Sequence, residues 1–249
     1  MIAKPKIAFF DFAGCEGCQL TALDALQTYP ELLEAVEIVQ FREAISERGE
    51  DYQIAFVEGA CTRPQDEERL LAIREQAQIV IAFGACAHLG GVNALRNWRA
   101  QAEVHRYVYG EAGKFHPSHS VRPVAAVIAV EGFIPGCPIN PHEFIRAVRY
   151  LLQGRLPEIP DYPVCVECRL NEVPCLFLQG QPCLGSITRA GCGAICPAFG
   201  AGCMGCRGQV SDANLAGLKM SLAAFGLSGE RMYEMLRVFQ SHPMLETEK

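Results

Sequence analysis

The chain has 249 residues, half of them hydrophobic, which is enough for one substantial core or one core plus a smaller appendage. Its formal net charge is −6, from 22 Lys+Arg against 28 Asp+Glu with no basic run, and this excludes the electrostatic footprint of a nucleic-acid binder. No apolar stretch approaches the length of a membrane span, and "MIAKPKIAFFDF" enters a strand-like run without a signal-peptide core, so a cytoplasmic protein with no transmembrane segment is expected.

Lys6 to Phe12 is a short apolar run closed by glycines and reads as a buried strand. Helical periodicity follows, with Leu20, Leu23, Leu26, Leu32 and Leu33 forming the apolar stripe and Pro30 marking a break. "VEIVQF" and Tyr52 to Gly59 read as two further strands. Pro64 to Ala77 predicts a helix, with proline and acidic residues in the first turn. Gln78 to Gly84 is the clearest buried strand, "PVAAVIAVEGFIPG" a further extended segment, and "NPHEFIRAVRYLLQ" an amphipathic helix opened by Asn140 and Pro141. Such alternation predicts an α/β domain over residues 1–155, built on a parallel sheet covered on both faces. From Cys165 the alternation stops, so residues 156–249 form a second, irregular domain. It ends in two helices around Gly226 to Gly229, with Ser211 and Ser228 as caps.

Thirteen cysteines in a reducing compartment point to metal rather than disulfides. Cys15, Cys18, Cys61, Cys86 and Cys137 each follow a predicted strand. In a parallel sheet those carboxyl ends share one edge, so Cys15, Cys18, Cys86 and Cys137 are expected to converge on one tetrathiolate pocket, with flanking glycines supplying tight turns. Cys61 is either an extra thiol near that pocket or a buried small hydrophobe. The remaining eight divide into Cys165, Cys168, Cys175 and Cys183, and Cys192, Cys196, Cys203 and Cys206. Zinc ribbons would use the same pairs. The interleaved Gly and Ala, and the Cys196-Pro197 step, favour iron-sulfur clusters instead.

Taken together, "FAGCEGC", "VEGA", "FGACAHLGG", "IPGCPI" and the eight-cysteine tail resemble the small, electron-transfer subunit of nickel-iron hydrogenases over nearly the whole chain. The resemblance implies a flavodoxin-like first domain and an irregular iron-sulfur domain holding two clusters, three 4Fe-4S clusters in all. By position, Cys15, Cys18, Cys86 and Cys137 would bind the proximal cluster, Cys192, Cys196, Cys203 and Cys206 the medial one, and Cys165, Cys168, Cys175 and Cys183 the distal one. Many periplasmic members carry histidine where this chain has Cys165 and proline where it has Cys196, so the pattern is similar to cytoplasmic multimeric enzymes. It further implies a large-subunit partner bearing the nickel-iron centre, and a flavin or iron-sulfur acceptor subunit. Glu16, between the first two cysteines, is a candidate for proton transfer, as is Glu58 on the same edge. The related quinone-reductase subunit, with adjacent cysteines and no two-cluster tail, and a zinc-stabilised assembly protein are the alternatives. "HPSH" at 116–119 reads as a surface or interface loop, and Trp98 as packing or partner contact.

Overall fold

A computed structural model describes residues 4–247. Its centre is a five-stranded, fully parallel sheet in the order β2-β1-β3-β4-β5. The strands are β1 (Lys6–Asp11), β2 (Glu37–Gln40), β3 (Ile54–Glu58), β4 (Ile79–Phe83) and β5 (Gly132–Ile134). Side chains alternate across a strand, and both faces here are apolar. Ile7, Phe9, Phe56, Ile81 and Phe83 face the layer made by α1 (Gly17–Thr28) and α6 (Pro141–Leu152). Ala8, Phe10, Ala55, Val57, Val80 and Ala82 face the side covered by α3 (Pro64–Gln76) and residues 124–128. Phe56 anchors the first layer, with its ring 5.0 Å from Phe9, 5.5 Å from Phe83 and 5.8 Å from Phe144.

The helix expected across Pro30 is two, α1 and the short α2 (Glu31–Ala35). The extended reading of residues 123–136 is corrected as well: Val124–Ala126 is a 3₁₀ turn, and only Gly132–Ile134 pairs with β4. Pro123, at φ −65°, leads into that turn, and the run "AAVIAV" has the composition of a buried helix as much as of a strand.

Asp66 shows how α3 is started. Its carboxylate is fully buried and accepts from the Arg63 and Thr62 amides (both 3.0 Å) and from the Arg63 guanidinium (2.8 Å). Burial pushes its pKa up, but the Arg63 and Thr62 hydrogen bonds outweigh this and hold it below the usual 3.8. A depressed folded pKa contributes stability that is present above about pH 4 and lost as pH falls through the folded value. Asp66→Asn should therefore cost roughly 2 kcal/mol at pH 7. Urea melts of the two proteins should converge on acidification; a gap that stays constant to pH 3 would mean that charge plays no part.

Beyond α6 the chain makes α7 (Val164–Leu170), irregular loops and the one-turn α8 (Ile195–Ala198). Two helices close it, α9 (Leu215–Ala224) and α10 (Gly229–Thr247). Asn214, rather than Ser211, caps α9 by accepting from the Gly217 amide, while Ser211 bonds Asp161. Ser228 accepts from the Glu230 amide at the start of α10. Leu218, Leu222, Met232, Met235 and Leu236 form a third small core with Leu184 and Ile187. α10 also packs back on α4 (Gly84–Leu89) and on residues 92–98, which precede α5 (Gln101–Tyr109). There the Trp98 indole donates to Ser241 (2.8 Å) beneath the Arg237 guanidinium. Trp98 is thus packing, one of its two expected roles.

Candidate metal centres

Parallel pairing places the carboxyl ends of β1, β3, β4 and β5 on one edge, and the loops leaving them carry the first cysteines. Cys18 lies in the first turn of α1, whose N-terminal amides of Cys18 and Gln19 donate to the buried Glu58 carboxylate (3.1 and 3.0 Å). Burial pushes the Glu58 pKa up against those bonds. Cys86 sits in α4, which starts at Gly84 with no intervening loop after β4. Gly84 has φ 85°, and a Cβ there would fall 2.3 Å from Cys18 Sγ, so only glycine leaves that sulfur its place.

The four thiols of this edge are close enough to act on one another. Burial pushes Cys86 up to about 12, with Cys137 and Cys15 adding to it. Cys18 is raised by burial, by Glu58, and by Cys86 and Cys137. Asn93, which motif reasoning missed, donates its amide to Ala13 O and lies 3.7 Å from Cys86 Sγ.

Cys192, Cys196, Cys203 and Cys206 line a second site, a cavity of about 440 Å³ that Cys137 also borders. Burial raises Cys206 to about 12, and Cys192, Cys137 and Cys196 push the same way. Glu167 shapes the loop around Cys192 by accepting from the amides of Gly191 (2.8 Å) and Ala194 (3.1 Å). Cys165, Cys168, Cys175 and Cys183 line a third cavity of about 200 Å³. Burial raises Cys165 to about 11, followed by Cys183, Cys168 and Cys175. The Cys203 amide donates to Cys183 Sγ (3.2 Å), so the second and third sites touch.

Cys61 is not brought to the first quartet. Its side chain is fully buried in the layer beneath α3, 3.9 Å from His119 Nε2 and 3.8 Å from the Arg122 guanidinium. Glu67 completes the group, 3.1 Å from His119 and in contact with Arg122. Cys61, Glu67 and His119 are near enough to share an ion. The Arg122 guanidinium already occupies the cationic position among them, and antiparallel backbone bonds between Cys61 and Arg122 lock the 116–122 loop to the sheet edge. That arrangement is a closed ion-pair cluster. Glu16 stands apart, partly exposed at φ 62° with Arg42 3.5 Å away.

Soft thiols in three groups of four, against glycines whose Cβ atoms would strike sulfur, are a donor set for multivalent, thiolate-ligated centres.

Comparison with known proteins gives concordant results. Residues 15–151 match the family described as NADH ubiquinone oxidoreductase, 20 Kd subunit. The chain is 36% identical over 236 residues to sulfhydrogenase 2 subunit delta of Pyrococcus furiosus, covering 94% of this chain and 98% of that one. It is 34% identical over 245 residues to a vhu subunit of the F420-non-reducing hydrogenase of Methanococcus voltae, covering 85% of each chain. Among solved structures, an NAD+-reducing NiFe-hydrogenase in the H2-reduced state superposes with a TM-score of 0.56 at 28% identity, over 64% of this chain and 96% of that one.

Proposed function

Since the chain belongs to the family of the NADH ubiquinone oxidoreductase 20 Kd subunit, as a small subunit of a nickel-iron hydrogenase, we propose that its twelve grouped cysteines hold three 4Fe-4S clusters relaying electrons between the hydrogen-activating centre of a large subunit and a redox partner. An iron-sulfur cluster, when bound, takes up and gives back single electrons. The chain's own part is to space three such groups, exclude water and dock both partners. A flavodoxin-like domain, residues 1–155, carries the proximal ligands Cys15, Cys18, Cys86 and Cys137. Residues 156–249 carry the medial set (Cys192, Cys196, Cys203, Cys206) and the distal set (Cys165, Cys168, Cys175, Cys183). One observation supports this order above all: Cys137 borders both the first and second sites, and Cys203 bonds Cys183 between the second and third.

The acceptor subunit bears flavin, iron-sulfur clusters or both, in keeping with relatives named for sulfhydrogenase, F420-non-reducing and NAD-reducing activities. Among the described residues no helix is long and apolar enough to cross a membrane. Iron, acid-labile sulfide, zinc and nickel should be measured on the anaerobically purified complex. About twelve irons and twelve sulfides per copy of this chain, once those of other subunits are subtracted, are expected from three four-iron sites. Zinc without sulfide would overturn the assignment.

Glu16 is assigned a role in proton movement at the large-subunit interface, supported by its place between two proximal ligands and its partial exposure. Glu16→Gln should slow hydrogen-deuterium exchange catalysis by about a hundredfold or more, the lower end for loss of a general acid-base group. An unchanged exchange rate would remove Glu16 from the proton path.

A further inference from the structure

Arg207, directly after Cys206, is the bulkiest fully buried side chain of the described residues, at 1% exposure. A guanidinium has five N–H donors and stays charged in any protein environment. Here Nη1 and Nη2 donate as a fork to Glu143 (2.9 and 2.8 Å), and Nη1 also donates to Pro135 O (2.9 Å). Nε donates to Ala190 O (2.8 Å) and Arg189 O (3.2 Å). Glu143, 2% exposed, is an early residue of α6, with the half-exposed Arg146 3.6 Å away as a further cation. Gly191 lies against the pair; a Cβ there would fall 2.3 Å from Arg207 Nη2 and 2.7 Å from Glu143 Oε1.

The placement of this pair relates it to the second thiol site. Arg207 lines the cavity bordered by Cys192, Cys196, Cys203 and Cys206, and it follows Cys206 directly in the chain. Through Pro135 O it also grips the loop that presents Cys137. Replacing a buried ion pair by apolar side chains is often neutral or stabilising, so stability alone is weak grounds for keeping one. Beside a redox centre, however, a buried charge is poorly screened and biases the oxidised against the reduced state.

We infer that the Glu143–Arg207 pair sets the electron affinity of the centre held by Cys192, Cys196, Cys203 and Cys206, the carboxylate offsetting a guanidinium fixed beside it. This rests on the cluster assignment above. Glu143→Gln keeps an acceptor for the fork and removes one negative charge. In an EPR-monitored redox titration of the assembled complex, one centre should then be about tenfold more reduced at a fixed potential, a rise of about 59 mV for one electron. The other two centres should move less than this one. Glu143→Asp, which keeps the charge, should stay near the wild-type potential and serves as the reference if Glu143→Gln binds less iron. Arg207→Lys should keep the potential while lowering stability. A full wild-type iron count with an unshifted Glu143→Gln potential overturns the charge role. A wild-type complex with too little iron to fill this site overturns the cluster assignment instead.

Discussion

Iron and sulfide removal should unfold residues 163–182 and 190–206 while leaving the sheet intact. The reason lies in how little apolar burial those segments have of their own. The small core between the second and third thiol sites consists of Val164, Ala194 and Cys203, with Cys168, Cys183 and Cys192 packed at its edge. Most of its members are therefore the cysteines proposed above as ligands. The sheet, in contrast, keeps the Phe9, Phe56, Phe83 and Phe144 layer whether or not a centre is bound. Structural metal sites supply on the order of 10 kcal/mol of folding free energy, far more than three small buried side chains can replace. Hydrogen exchange on the apo chain should show lost protection at the amides of Ala194 and Cys203, with Phe56 and Ile81 unchanged. Leu184 and Ile187, docked on α9 and α10, should keep partial protection. Native-like protection across 190–206 in the apo chain would show that protein contacts alone hold it.

Gly202→Ala should be the most damaging single methyl in the chain. A Cβ at Gly202 would lie 2.1 Å from the carbonyl oxygen of Pro182, a backbone atom with no rotamer to change. Both neighbours carry a proposed ligand: Cys203 follows Gly202 and Cys183 follows Pro182, and the Leu184 amide bonds Cys203 O at 2.9 Å. Relief of the clash must pull those loop segments apart, at a cost of about 3 kcal/mol or more. Iron from both the second and third sites should fall, and the purified variant should melt earlier. Gly200→Ala is the control, because Gly200 has φ 78° but nothing within 4 Å of its would-be Cβ. It should show only the penalty of a left-handed backbone, roughly 1–2 kcal/mol, with its iron retained. Equal losses in both variants would mean that backbone conformation, and not crowding at Pro182, sets the outcome.

The centre of the sheet was readable because β1, β3 and β4 are continuous apolar runs closed by glycine or a charged residue, and parallel pairing then puts their ends on the same side. That logic brought Cys15, Cys18, Cys86 and Cys137 together from positions more than a hundred residues apart. It could not reach Glu143, Glu167, Asn93 or Arg207. Each is one ordinary polar residue whose partner lies elsewhere in the chain, such as Arg207 with a glutamate on α6. Arg207 did leave a trace, as a charged side chain at the end of a Gly, Ala and Cys run, 191–206, that carries no other charge. Cys61 and "HPSH" were each puzzling alone, and become intelligible only once the 116–122 loop is seen to fold back on the end of β3.

The position of α10 bears on how the protein is made. Gln240 breaks that helix, and its side chain donates to Gly205 O and accepts from Gln209, while Ser241 receives the Trp98 indole. One short stretch thus closes against the loop that holds Cys206 and against the segment that follows Cys86. Ribosomes polymerise residues 229–241 after every cysteine in the chain. The stretch that ties the Cys206 loop to the segment after Cys86 is therefore the last of these parts to be made. On the cluster assignment proposed above, chains truncated before Gly229 should accept clusters faster than the full chain in a transfer assay and then lose them faster; equal rates would show that α10 does not restrain these loops.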